Sequence, residues 1–189
     1  MTATLLVAMI IWLLLTLASV VTWIPPSASR TRPLFARTPA LIITVAVLML
    51  GLGAVAVLGC LGDGANGAWS WTVLGLSMAS AVITGGAMTT SVLSLADTAS
   101  RPTPQRIQRT ILRGGTWIGA LERIGITAFL LAGWPEGIAV ILAVKGLARY
   151  PELRTSHSTG AAERFIIGTF TSIGWADASA GVALLLLRG

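Results

Sequence analysis

The sequence predicts an all-α, polytopic transmembrane bundle of six helices, with both termini extracytoplasmic. Three observations carry that prediction. The chain is 54% hydrophobic and 11% charged, whereas soluble domains carry about 25% charged residues. Apolar runs close to the roughly 20 residues needed to cross a bilayer recur along its 189 positions. The basic residues gather in the segments between those runs, and in alternate ones, as in the cytoplasmic loops of membrane proteins.

The first helix is expected over Ala3 to Trp23, closed by Pro25-Pro26. No basic stretch precedes it and it is long enough to span, so it reads as a retained helix rather than a cleaved secretory signal. A polar segment with Arg30, Arg32 and Arg37 follows. The second helix is expected from Ala40 to Leu61, ending in the turn-rich run Gly62-Asp63-Gly64-Ala65-Asn66-Gly67. Trp69 and Trp71 stand where an interfacial aromatic belt would lie. The third helix is expected from Trp71 to Leu95. Its Ser77, Ala81, Gly85 and Thr89 recur every four residues, a small-residue face that lets helix backbones approach closely.

The segment from Ala96 to Gly114 holds Arg101, Arg106, Arg109 and Arg113. Gln105 to Arg113 fits a short basic amphipathic helix on the lipid surface. The fourth helix is expected from Gly115 to Trp134. A Pro135-Glu136-Gly137 turn leads into the fifth, from Ile138 to Tyr150, which is short for a full span. The sixth is expected from Glu163 to Leu187. The organisation is therefore an N-terminal three-helix part (1–95) without core charges, a basic cytoplasmic loop (96–114), and a C-terminal three-helix part (115–189) with intramembrane charges.

Orientation follows from the loop charges. With the amino terminus outside, the inside segments contain Arg30, Arg32, Arg37, Arg101, Arg106, Arg109, Arg113, Arg149, Arg154 and Arg164, and the outside segments only Arg188. This distribution places the protein in the inner (plasma) membrane as a multi-pass chain. The net charge of +6 is then a topology signal facing anionic lipid headgroups, and not a nucleic-acid surface.

Charges inside a spanning helix are costly and are functional-site candidates by default. Here they are Glu122, Arg123, Lys145, Arg149, Glu163 and Asp177, all in the last three helices, with Thr169 and Ser172 as polar neighbours. Gly115, Gly119 and Glu122 share a helix face, so a second helix is expected to approach beside Glu122. Glu122 and Lys145 are expected at similar depth, with Arg149 one turn away and Glu163-Arg164 capping the cluster. Two readings of this cluster stand side by side: an ion-pair network that sets helix register, and a polar cavity that binds an anion, a headgroup or a proton. Asp177, about 21 Å along the sixth helix from Glu163, is either a protonated acid satisfied by its neighbours or part of a relay.

Other chemistry is poorly supported. Cys60 is the only cysteine and reads as a small buried hydrophobe. His157 is the only histidine and sits in a polar loop. There is no P-loop, HExxH or GxSxG signature, so no catalytic residue, cofactor or metal site is expected.

Three segments together carry a resemblance: Gly115-Thr116-Trp117-Ile118-Gly119-Ala120-Leu121-Glu122-Arg123, then Ala143-Val144-Lys145-Gly146-Leu147-Ala148-Arg149, then Glu163-Arg164-Phe165-Ile166-Ile167-Gly168-Thr169-Phe170-Thr171-Ser172. This part resembles the carboxy-terminal portion of the DUF3307 family of uncharacterised bacterial membrane proteins. Members of that family carry His and Asp residues in their amino-terminal helices; here that half has no His, and its first acid is Asp63, in a loop. The resemblance implies a shared carboxy-terminal bundle and singles out Glu122, Arg123, Lys145, Arg149, Glu163, Thr169 and Ser172, without implying an activity.

Three functions compete. The first is a small transport or channel component, or a ligand-binding membrane protein. The second is a non-catalytic assembly or accessory subunit. The third is a lipid- or phosphate-directed membrane enzyme, with Arg and Lys binding phosphate and Glu122 as a base. The expected partners are membrane lipids, through anionic headgroups at the cytoplasmic face, and a second copy of the chain or a larger membrane complex.

Overall fold

A computed structural model describes residues 3–21, 34–62, 64–99, 114–155 and 159–188. Six α-helices occupy them: α1 (Ala3–Val20), α2 (Leu34–Leu61), α3 (Ala68–Ala99), α4 (Gly114–Leu131), α5 (Gly137–Thr155) and α6 (Thr159–Leu187). Four of these, α1, α2, α3 and α6, are long and apolar enough to cross a membrane. Helices α4 and α5 run about 27 and 29 Å at 1.5 Å per residue, close to the roughly 30 Å hydrocarbon core. Helix α4 carries Glu122 and Arg123, and α5 carries Lys145, Arg149, Glu152 and Arg154. Arg30, Arg32, Arg101, Arg106, Arg109, Arg113 and His157 lie outside the described residues, as does the expected amphipathic helix at Gln105 to Arg113.

Several helix ends differ from the sequence expectation, for local reasons. Helix α2 begins at Leu34 and runs through Pro39. As the sixth residue of the helix, Pro39 cannot donate to the Phe35 carbonyl, and its ring crowds that group. Helix α3 continues to Ala99 and so includes Asp97, giving the amino-terminal part a charge that had been assigned to a loop. Helix α5 likewise runs through Pro151.

Helix α4 ends at Leu131, three residues early, because Gly133 takes a left-handed φ of 73°. The Trp134 N–H then donates to the Phe129 carbonyl at 2.8 Å and the Gly133 N–H to the Leu130 carbonyl at 3.1 Å, a Schellman cap. The Trp134 ring meets Phe129 edge-on at 4.9 Å. A Cβ at Gly137 would strike that Phe129 ring at 2.5 Å. The α4–α5 hairpin is thus set by one capped turn.

The core is built around the α3–α6 pair, which share the most extensive interface in the molecule. The small-residue stripe accounts for it: Ser77, Ala81 and Gly85 are fully buried, and the Ser77 hydroxyl donates to the Ser179 carbonyl across the seam. The Trp175 indole N–H donates to the Thr84 hydroxyl at 2.6 Å. Helices α1 and α2 cover one flank of this pair, with Trp12, Leu48, Leu52, Val55, Val182 and Leu186 in the apolar core. Helix α4 covers the other flank, and α5 packs on α4. The α2–α3 turn is pinned to the end of α6 by a 2.7 Å backbone bond from Ala65 N–H to Leu186 carbonyl.

The outer surface is apolar. Leu50, Leu61, Trp71, Trp117, Leu147 and Phe170 are each more than 70% exposed, which suits lipid and not water. Cys60 is exposed as well, correcting the expectation that it is buried. Hydropathy registers how apolar a run is; it does not distinguish a residue facing lipid from one facing the core.

Candidate polar cavity between α3, α4, α5 and α6

The α4–α5 flank encloses a cavity of about 570 Å³. Its walls are Gly86, Ala87, Thr89, Thr90 and Leu93 from α3, Gly115, Thr116, Gly119, Glu122 and Arg123 from α4, Lys145 and Arg149 from α5, and Phe165, Gly168, Thr169 and Ser172 from α6. Of the eight residues expected to form a polar site, six are brought together: Glu122, Arg123, Lys145, Arg149, Thr169 and Ser172.

Glu122 and Lys145 meet across the α4–α5 interface, with Lys145 Nζ 2.5 Å from Glu122 Oε2. The expectation of equal depth therefore holds. Arg123, the next residue along α4, behaves differently. It is 4% exposed, and its Nη1 donates to the Ser172 hydroxyl at 3.2 Å. Its Nε has no hydrogen-bond partner, and neither does the buried Thr169 hydroxyl beside the same cavity. Among the described residues, no carboxylate forms an ion pair with Arg123.

The glycines explain how a guanidinium fits there. A Cβ at Gly85 would come within 2.8 Å of Arg123 Cδ, and one at Gly119 within 3.3 Å of its Nη1. A Cβ at Gly115 would meet nothing within 4 Å. The Gly115/Gly119 pair therefore makes room for the arginine and the cavity, and is not the contact surface for a second helix.

The remaining two expected residues lie elsewhere. Glu163 is exposed outside the cavity. Arg164 pairs with Asp97 at the end of α3, so it ties α6 to α3 instead of capping the cluster. Asp177 stands on α6 outside the cavity, and its Oδ1 is buried without a partner. One turn beyond Arg123, Ser172 and Gly85, the residues Ile126, Ala176 and Ala81 pack together, with Ile138, Ile141 and Ile173 against them. That apolar layer closes the cavity at its deep end.

The fold and cavity define a helical protein with four candidate membrane spans, whose interior holds a buried arginine that forms no ion pair among the described residues. No family model matches the chain, and no curated protein or solved structure matches it. The reading of the site therefore rests on its own geometry.

Proposed function

We propose that this chain binds an anionic group in the α3–α6 cavity, as a ligand-binding or transport component of the membrane, with Arg123 as the principal contact. One observation carries this reading: Arg123 is buried and forms no ion pair among the described residues. Arginine cannot escape burial by releasing its proton. A buried charge left unpaired costs several kcal/mol. The adjacent carboxylate, Glu122, forms its ion pair with Lys145 and only partly offsets the charge of Arg123. An anion seated against Arg123, with the Thr169 hydroxyl in reach of the same space, offsets the rest.

The apolar layer at Ile126, Ala81 and Ala176 favours a binding site with access from one end over an open channel. By the charge count of the loops, that end faces the cytoplasm: the ends of α3 and α5 and the starts of α4 and α6 all lie there. The accessory-subunit reading draws support from the Asp97–Arg164 pair, which joins α3 to α6 and serves packing alone.

The test is thermal unfolding of the full chain in mild detergent, with inorganic phosphate as the probe. A ligand at 100 times its dissociation constant stabilises by about 2.7 kcal/mol. Wild type should be stabilised by phosphate and Arg123→Gln should not. Equal stabilisation of both proteins would remove Arg123 from the site and overturn the proposal.

A further inference from the structure

We infer that the anion is the headgroup of an anionic lipid, which enters the cavity sideways from the bilayer between α5 and α6; this rests on the anion-binding reading above. Residues 156–158 are all that separate α5 from α6 in the sequence, yet the two helices build no substantial interface. Among the described residues, helix α5 has its one substantial interface with α4, while α4 and α6 both pack on α3 and on each other. The α5 side of the cavity is therefore a wedge that no described helix closes. The outward residues Val140, Val144 and Leu147 on α5 are apolar and exposed, so the wedge faces acyl chains.

Charge runs along this wedge in the right direction for a headgroup. Arg149 lies about 9 Å and Lys145 about 15 Å from the cytoplasmic end of α5, at 1.5 Å per residue. Both line the cavity, and Arg123 stands about 14 Å from the start of α4. A headgroup leaving the interface would pass Arg149, then the Lys145–Glu122 pair, and stop at Arg123 beneath the apolar layer. Its tails would stay in lipid, beside Phe165 and Leu93 at the cavity wall. The volume agrees: a water takes about 30 Å³, so 570 Å³ far exceeds a bare anion.

The experiment reconstitutes the full chain in nanodiscs of phosphatidylcholine with a minor fraction of phosphatidylglycerol, then reads retained lipid by native mass spectrometry. Wild type should retain phosphatidylglycerol selectively. Arg123→Gln should retain it about 30-fold less well, the usual effect of losing one partner of a buried charge pair. Gly115→Leu, which leaves Arg123 in place and fills open cavity space, should also lose it, and covers the case in which Arg123→Gln does not fold. Equal retention by wild type and both variants would mean unspecific lipid contact and would overturn the inference. Arg123-dependent stabilisation by inorganic phosphate without selective lipid retention would overturn the lipid and leave the anion site standing. Failure of both probes would overturn both.

Discussion

The two flanks of the α3–α6 pair solve the same packing problem in opposite ways. On the α1–α2 side the seam is filled by large apolar side chains. Trp12 is 1% exposed and Val55 fully buried, and the adjoining pocket is lined by Met49, Leu52, Met88, Phe170 and Val182 among others. On the α4–α5 side the seam holds small residues and an arginine. The first flank is what close packing in a bilayer looks like when nothing but contact is required. The second holds a cavity of similar size, about 570 Å³ against about 510 Å³, but lines it with polar and charged groups and buries a charge there. That expense is the reason to assign function to one flank and structure to the other.

The comparison can be broken from either side. The largest effect is expected on the packed flank. Trp12→Ala should cost about 3 kcal/mol, the lower end for a buried aromatic truncation because lipid softens the transfer term. Reversible unfolding in mixed detergent micelles would measure it. Phosphate binding should survive in whatever fraction remains folded, since Trp12 is not part of the cavity wall.

A smaller effect with a sharper meaning is expected at the glycines of α3. Gly85→Ala places a methyl group against Arg123 and Trp175, and overpacking of this kind costs about 1–3 kcal/mol. Gly75→Ala meets open space and should be neutral or stabilising by up to about 1 kcal/mol, from helix propensity alone. Only Gly85→Ala should also weaken anion binding. If the two substitutions behave alike, the stripe is generic packing and not a seat for Arg123.

Next is the charge balance of the cavity. Glu122→Gln removes the carboxylate paired with Lys145 and leaves that cation unpaired at the cavity wall, so phosphate affinity should rise, by about ten-fold for each 1.4 kcal/mol gained. A fall would mean that Glu122 orders the site instead of only neutralising Lys145. The smallest effect is expected from Thr84→Val, which leaves the Trp175 indole N–H without its acceptor. Interhelical hydrogen bonds in membranes average about 0.6 kcal/mol, and a loss of that size in the same unfolding assay would confirm that the α3–α6 seam is held mainly by contact.

Topology offers a separate check. Both termini stay on one side whether or not the α4–α5 hairpin crosses fully, because it leaves from and returns to the same end of the bundle. A reporter fused after Gly189 that is active only outside the cytoplasm should be active.

Part of the polar site was legible residue by residue. Glu122 with Lys145 at matched depth and Arg149 one turn on follow from helix spacing and antiparallel direction, whereas Thr169 and Ser172 came from the resemblance and as neighbours of Asp177. The relative importance of Glu122 and Arg123 was not legible. They are adjacent, and helical period alone leaves open which one faces a partner and which one faces the core. The Asp97–Arg164 pair was missed because Asp97 falls at the end of an apolar run, where hydropathy places a loop. Glu163 was expected, with Arg164, to cap the cluster from the start of the sixth helix and was singled out by the resemblance, but it is exposed outside the cavity.

By itself the sequence determined that this chain forms apolar helices, how many there are, and that the intramembrane charges concentrate late in the chain. Those properties are set by composition and by the period of a helix, both local. The tertiary structure alone decided which charges are neutralised. Pairing depends on which helix lies beside which: α5 brings Lys145 to Glu122, and α3 brings Asp97 to Arg164. Among the described residues, Arg123 hydrogen-bonds the Ser172 hydroxyl of α6 and forms no ion pair. That placement is a property of several helices together, and no stretch of one helix could have shown it.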